Sequence, residues 1–120
     1  STFDTDLVAK VATAISDEAR AYYNARHVHS GFETVGISAT CLAPQLNVAR
    51  DARWGRSYET FSEDPHVIAT MGVAYIKAMQ GDKAPHLKVM AAPKHIGAYS
   101  LDCYNPSGGP AQYPHCPIYR

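Results

Sequence analysis

Residues 50–65 read RDARWGRSYETFSEDP, with three arginines (Arg50, Arg53, Arg56) and four acids (Asp51, Glu59, Glu63, Asp64) set among Trp54, Tyr58 and Phe61. Further along, Lys94 and His95 stand side by side. A guanidinium is a flat fork of donors, an ammonium a compact cation, and an imidazole both donates and accepts. Brought together, such groups would hold a neutral, hydroxyl-rich ligand or an anion, with Trp54 and Tyr58 offering apolar faces. A phosphate ligand is the weaker fit, because the stretch has no glycine-rich cradle. Most of the charge has a plainer reading. Arg50 and Arg53 are expected to neutralise Asp51, Glu59, Glu63 and Asp64 in a salt-bridge cluster. Glu59 is expected to brace a cation, and Trp54 to anchor packing.

Regular elements must aim these residues. Residues 4–24 predict a helix: Val8, Val11, Ile15, Ala19 and Tyr22 recur at steps of three and four, which makes one apolar stripe. Asp4 is its expected N-cap, with Phe3 and Val8 at staple spacing. Residues 35–43, mostly apolar or small and ending before Pro44, predict a buried strand. A second helix is expected from Asp64 as N-cap, through Pro65 at the first turn, to Gly81 just past the end. Ile68, Met71, Tyr75 and Met79 form its core face. Residues 87–92 predict a second strand, and Lys94 and His95 follow it.

Strand, helix and strand at this length make a βαβ unit with parallel strands. Between the first strand and the second helix lie about twenty residues without a period. A loop longer than roughly 12–15 residues in a compact domain is usually functional or disordered. This one is too aromatic and too balanced in charge for disorder. It leaves the C-terminal end of a strand, the edge where parallel α/β folds bind ligands, and Lys94 and His95 leave the same edge. Residues 103–120, with Pro106, Pro110, Pro114 and Pro117, predict an irregular tail.

The 120 residues carry eleven basic and eleven acidic side chains, for a formal net charge of zero with His neutral. That balance argues for neither a nucleic-acid partner nor an anionic membrane surface. No apolar run approaches the ~20 residues of a membrane span. The chain opens on Ser1 and so reads as processed or as a piece of something longer. Its compartment stays open, with an extracellular or cell-wall setting compatible. Three cysteines do not make a disulfide scaffold, and spacing leaves a Cys103–Cys116 bridge undecided. His27 and His29 have no third ligand in view, and His115 with Cys103 and Cys116 lacks zinc spacing. No metal or cofactor is expected.

The segments NVARDARWGRSYETFSEDP and KVMAAPKHIGAY together resemble glycoside hydrolase family 3, the β-glucosidase and β-xylosidase family. Asn47, Arg50, Asp51, Arg53, Trp54, Gly55, Arg56, Glu59, Glu63, Asp64 and Pro65 match its pattern, and Ala52 stands where the family usually has proline. Residues 3–21 look like the helix that precedes this pattern, and the resemblance covers about residues 2–102. AYSLD, at 98–102, leans toward the xylosidase branch. The resemblance implies that residues 1–102 are a segment of a (β/α)8 barrel domain. It further implies retaining hydrolysis of terminal, non-reducing β-linked sugars. It assigns binding of sugar hydroxyls to Arg56, Lys94 and His95, with Glu59, Trp54 and Asp51 in support.

The same resemblance requires an aspartate nucleophile and a glutamate acid/base, and neither motif is found within residues 1–120. Asp102 lies too near the Lys94–His95 strand to match the nucleophile. The expected partners are a β-linked oligosaccharide or glycoside, the rest of the parent barrel and a following domain. The alternative is a non-catalytic sugar-binding remnant of such a barrel.

Overall fold

The computed structural model describes residues 2–30, 39–83, 85–97 and 99, with side chains over 2–25 in the first stretch. Several expectations lie outside these residues: the start of the first strand at 35–38, the AYSLD lean, Asp102, the tail at 103–120 with Cys103 and Cys116, and the side chains of His27 and His29.

The element order is α1 (Thr5–Ser30), β1 (Thr40–Cys41), a 3-10 turn at Ser57–Glu59, α2 (Pro65–Gln80) and β2 (Met90–Ala91). Helix α1 starts where its cap dictates. The Asp4 carboxylate accepts from the backbone N–H groups of Asp6 at 3.0 Å and Leu7 at 2.9 Å, satisfying two of the donors a helix leaves open at its start. Phe3 stays 72% exposed.

The buried face of α1 differs from the expected stripe. Ala12 and Ser16 are fully buried, while Val11, Ile15 and Tyr22 are exposed together with Leu7. The reason is steric. Small side chains at 12 and 16 let α1 approach closely, and the bulk of the contact comes from Met79 on α2 and Val89 ahead of β2. The Ser16 hydroxyl donates to Thr13 O at 2.9 Å, so its burial leaves no lone donor.

Helix α2 follows its sequence closely. Asp64 accepts from the N–H of His66 at 2.7 Å, and Pro65 opens the first turn, where it forgoes no helical hydrogen bond. Gly81 ends the helix at φ 73°, a left-handed region open to glycine at little cost. Ile68, Met71 and Met79 are buried and Tyr75 half-buried, as their spacing predicts. Full burial of a Met or Val side chain stabilises by about 1.5–3 kcal/mol. Asp64→Ala should cost about 1 kcal/mol through loss of the cap. Urea unfolding would register this as a lower midpoint at unchanged slope, and an unmoved midpoint would mean that the start of α2 is fixed by packing alone.

Strands β1 and β2 run parallel, with Thr40 opposite Met90 and Cys41 opposite Ala91. The N–H of Met90 donates to Ala39 O at 2.7 Å, and that of Ala92 to Cys41 O at 2.8 Å. Both strands are shorter than the expected 35–43 and 87–92. At the C-terminal end Pro44 interrupts the ladder, since proline has no N–H to give. Pairing then resumes: Lys94 N–H donates to Pro44 O at 3.0 Å, Leu46 N–H donates to Lys94 O at 2.7 Å, and Gln45 bridges to Lys94. Arg20 ties α1 to the approach to β2, its guanidinium donating to the carbonyls of Lys88 and Leu87.

Candidate functional site

The resumed pairing sets the site. Past the Gln45–Lys94 bridge, Asn47 on one segment comes beside His95 on the other. Asn47 is 4% exposed. Its Oδ1 accepts from the His95 backbone N–H at 2.9 Å and lies 3.0 Å from His95 Nδ1. Its Nδ2 donates to Gly97 O at 3.1 Å.

The His95 ring lies against Tyr99, with centroids 4.6 Å apart. Two further groups meet Tyr99: the Trp54 ring edge-on at 5.5 Å, and the Arg56 guanidinium 5.6 Å from the ring centre. Trp54 is almost wholly buried, which makes it the anchor expected of it. The carbonyl of Trp54 accepts from the N–H and hydroxyl of Ser57, and its N–H donates to Asp51 O, so the RWGR turn is wound around it. The 3-10 turn that follows puts Glu59 three residues beyond Arg56, within reach of the fork.

Arg56 donates through Nε and Nη2 to both carboxylate oxygens of Glu59, at 2.6 and 2.7 Å. Both side chains are about a quarter exposed, at 25% and 26%. Two parallel charge-assisted bonds fix the plane of the guanidinium. The contact with Arg56 holds the Glu59 carboxyl below the usual carboxylate range, and the charges of Lys94 and His95 add to this. Glu59 and Tyr99 push the Arg56 guanidinium higher still. Arg56 and His95 therefore meet on Tyr99, and the charge of Lys94 reaches Glu59.

The expected arginine cluster separates into pairs. Arg53 grips Asp51 at 2.6 and 3.0 Å on the exposed side of the turn. That grip lowers the Asp51 carboxyl to about 2. Asp51 supports the turn through Arg53 and its own carbonyl. Asp64 is occupied in capping α2, and Arg50 and Glu63 are exposed. The cause of the separation is chain geometry: the turn around Trp54 sends Arg53 and Arg56 in different directions. Tyr58, at 82% exposure, stands apart from the buried anchor.

Because the folded Glu59 pKa is depressed, the stability its ion pair contributes is present above the ordinary glutamate value of ~4.3 and is lost as pH falls through the lower folded value. A carboxyl 13C titration should therefore place the Glu59 midpoint below ~4.3, and Arg56→Ala should raise it. A midpoint at the ordinary value in both would mean that Arg56 and Glu59 do not pair in solution.

Asn47 and Tyr99 are the site residues without an assigned role in the sequence reading. Asn47 lies inside the matched pattern, yet its part depends on the register between two distant segments. Tyr99 closes KHIGAY, and its aromatic character was the only signal. Among the described residues, no group of three or more His, Cys, Asp or Glu is arranged to hold a metal ion. No helix there is long and apolar enough to cross a membrane.

The described residues thus form a parallel strand pair spanned by a helix, with a cationic and aromatic cluster past its C-terminal edge. Residues 1–106 match the glycosyl hydrolase family 3 N-terminal domain, and the chain belongs to that family. It is 39% identical over 107 residues to β-D-xylosidase 1 of Arabidopsis thaliana, covering 88% of this chain and 12% of that protein. It is 37% identical over 102 residues to a xylan 1,4-β-xylosidase of Xylanibacter ruminicola, covering 83% and 12%. Among solved structures, a family 3 exo-β-xylosidase in complex with a xylobiose aziridine activity-based probe superposes with a TM-score of 0.69 at 32% identity. That match covers 82% of this chain and 12% of the other. The chain thus spans about an eighth of the length of these relatives.

Proposed function

We propose that residues 1–102 form part of a (β/α)8 barrel that hydrolyses terminal β-linked sugars of the xyloside type with retention, and that this chain supplies sugar-binding groups of the site. Arg56, Lys94 and His95 bind ring hydroxyls. Glu59 holds the Arg56 fork, Trp54 anchors the turn beneath it, and Asp51 steadies that turn through Arg53. The aspartate nucleophile and glutamate acid/base come from outside residues 1–120. The observation that carries this reading is the meeting of Arg56 and His95 on Tyr99, with Lys94 beside them and Glu59 locking the guanidinium.

The chemistry follows from that geometry. Cleavage passes through an oxocarbenium-like transition state, and hydrogen bonds to ring hydroxyls that strengthen there supply several kcal/mol. A fork whose plane is already fixed loses little freedom when a sugar binds. Xyloside preference draws its support from the relatives' names and would be tested by comparing aryl β-xyloside with aryl β-glucoside hydrolysis by the full-length protein. Equal indifference to both substrates would overturn the reading.

A further inference from the structure

Asn47 makes three polar contacts through one buried amide, and their chemistry leaves a single arrangement. Gly97 O can only accept, so the atom facing it must be the amide nitrogen, at 3.1 Å. The backbone N–H of His95 can only donate, so the atom facing it must be the amide oxygen, at 2.9 Å. These two demands agree, and they fix the orientation of Asn47 without reference to the imidazole. The same Oδ1 lies 3.0 Å from His95 Nδ1 and can only accept there. Nδ1 must then carry a proton. Asn47 is itself immobilised, being 4% exposed with its backbone N–H donating to the buried Gln45 Oε1 at 2.8 Å.

We infer that Asn47 is a positioning residue that holds neutral His95 in its Nδ1–H tautomer, so that Nε2 is the acceptor nitrogen of the ring. The inference rests on the proposed sugar site for its purpose, though its geometry stands apart from it. A ring fixed in this way would accept a hydrogen bond from a sugar hydroxyl at Nε2, whereas the opposite tautomer would donate one. Among the described residues, the charged and titratable groups near His95 include Glu59, Arg56, Lys94 and Tyr99. The contact to Asn47 is the one that selects the Nδ1–H tautomer in this inference, because an amide oxygen can only accept there.

The test uses the full-length protein, 15N-labelled in histidine, with His95 assigned by its loss in His95→Gln. Two-bond proton–nitrogen correlations above the titration of the ring should show the Nδ1–H pattern. Asn47→Leu should shift the ring toward Nε2–H, and Asn47→Asp, which keeps an acceptor against Nδ1, should restore Nδ1–H. An Nε2–H pattern in the unmodified protein would overturn the inference. So would an Nδ1–H pattern that persists in Asn47→Leu with native circular dichroism; should that variant not fold, Asn47→Ser supplies the same comparison. Kinetics give a second readout. Asn47→Leu should reduce kcat/KM for an aryl β-xyloside tenfold or more. It should cause little further loss in a His95→Ala background, and Asn47→Asp should recover part of the rate. Full additivity of the two losses would count against action through His95. If His95→Ala alone left the kinetics unchanged, the sugar-site reading would fail, while the tautomer measurement would still decide the role of Asn47.

Discussion

Arg56→Ala and Lys94→Ala are each expected to lower kcat/KM toward an aryl β-xyloside by roughly 10- to 150-fold in the full-length protein. In the proposed sugar site each change removes a charge-assisted hydrogen bond worth about 1.5–3 kcal/mol, and every ~1.4 kcal/mol is a factor of ten. The Arg56 effect should lie toward the upper end. Its fork is held by both oxygens of Glu59 and faces Tyr99, so alanine removes the proposed sugar contact and also takes from Glu59 its main partner. Arg56→Lys keeps the charge and loses the planar, two-pronged grip, so its kinetics should fall between wild type and alanine. Both side chains lie outside the cluster of Ala12, Met79 and Val89, so thermal unfolding should move little. Wild-type kinetics in both alanine variants would return the pair to a structural role.

Features set by local chemistry were legible in the sequence. Asp64, Pro65 and Gly81 mark the ends of α2 because capping depends on residues within one turn of each other, and the structure uses all three. The parallel pairing of the two apolar segments was legible too, since a helix of this length between them leaves few other connections. Features set by packing were not. A stripe judged by apolar bulk selected Val11 and Ile15 for the inside of α1, where the fold buries Ala12 and Ser16 to bring the helix close. Strand length was overestimated because propensity does not register where Pro44 interrupts a ladder. At the site, the motif named Arg56, Lys94 and His95, but the roles of Asn47 and Tyr99 depend on contacts across the chain. The bond between His95 and Asn47 joins residues 48 apart. Only the register of the Gln45–Lys94 bridge brings them together.

Residues 1–120 on their own are expected to bind one another and to leave aryl glycosides intact. Retaining hydrolysis requires two carboxyl groups about 5–5.5 Å apart, one of them able to hold a proton near neutrality. Glu59 is the carboxyl set among the proposed sugar-binding groups, and its ion pair with Arg56 moves it away from that requirement by favouring the charged form. Asp51 is held at about 2 by Arg53, and Asp64 is committed to the start of α2. Association follows from the outward face of α1. Leu7, Val11, Ile15 and Tyr22 lie at helical spacing and are 44%, 49%, 41% and 55% exposed, a stripe suited to burial against another apolar surface. Sedimentation of the purified chain should show concentration-dependent assembly. Val11→Lys with Ile15→Glu should weaken it without disturbing Ala12 or Ser16, which point inward. In the same preparation, assays of aryl β-xyloside and β-glucoside across pH should show no turnover above the spontaneous rate. Turnover that disappears in Glu59→Gln would place a working acid inside this segment and overturn the division of labour proposed for it. A monomer at all concentrations would instead mean that the α1 stripe is already covered.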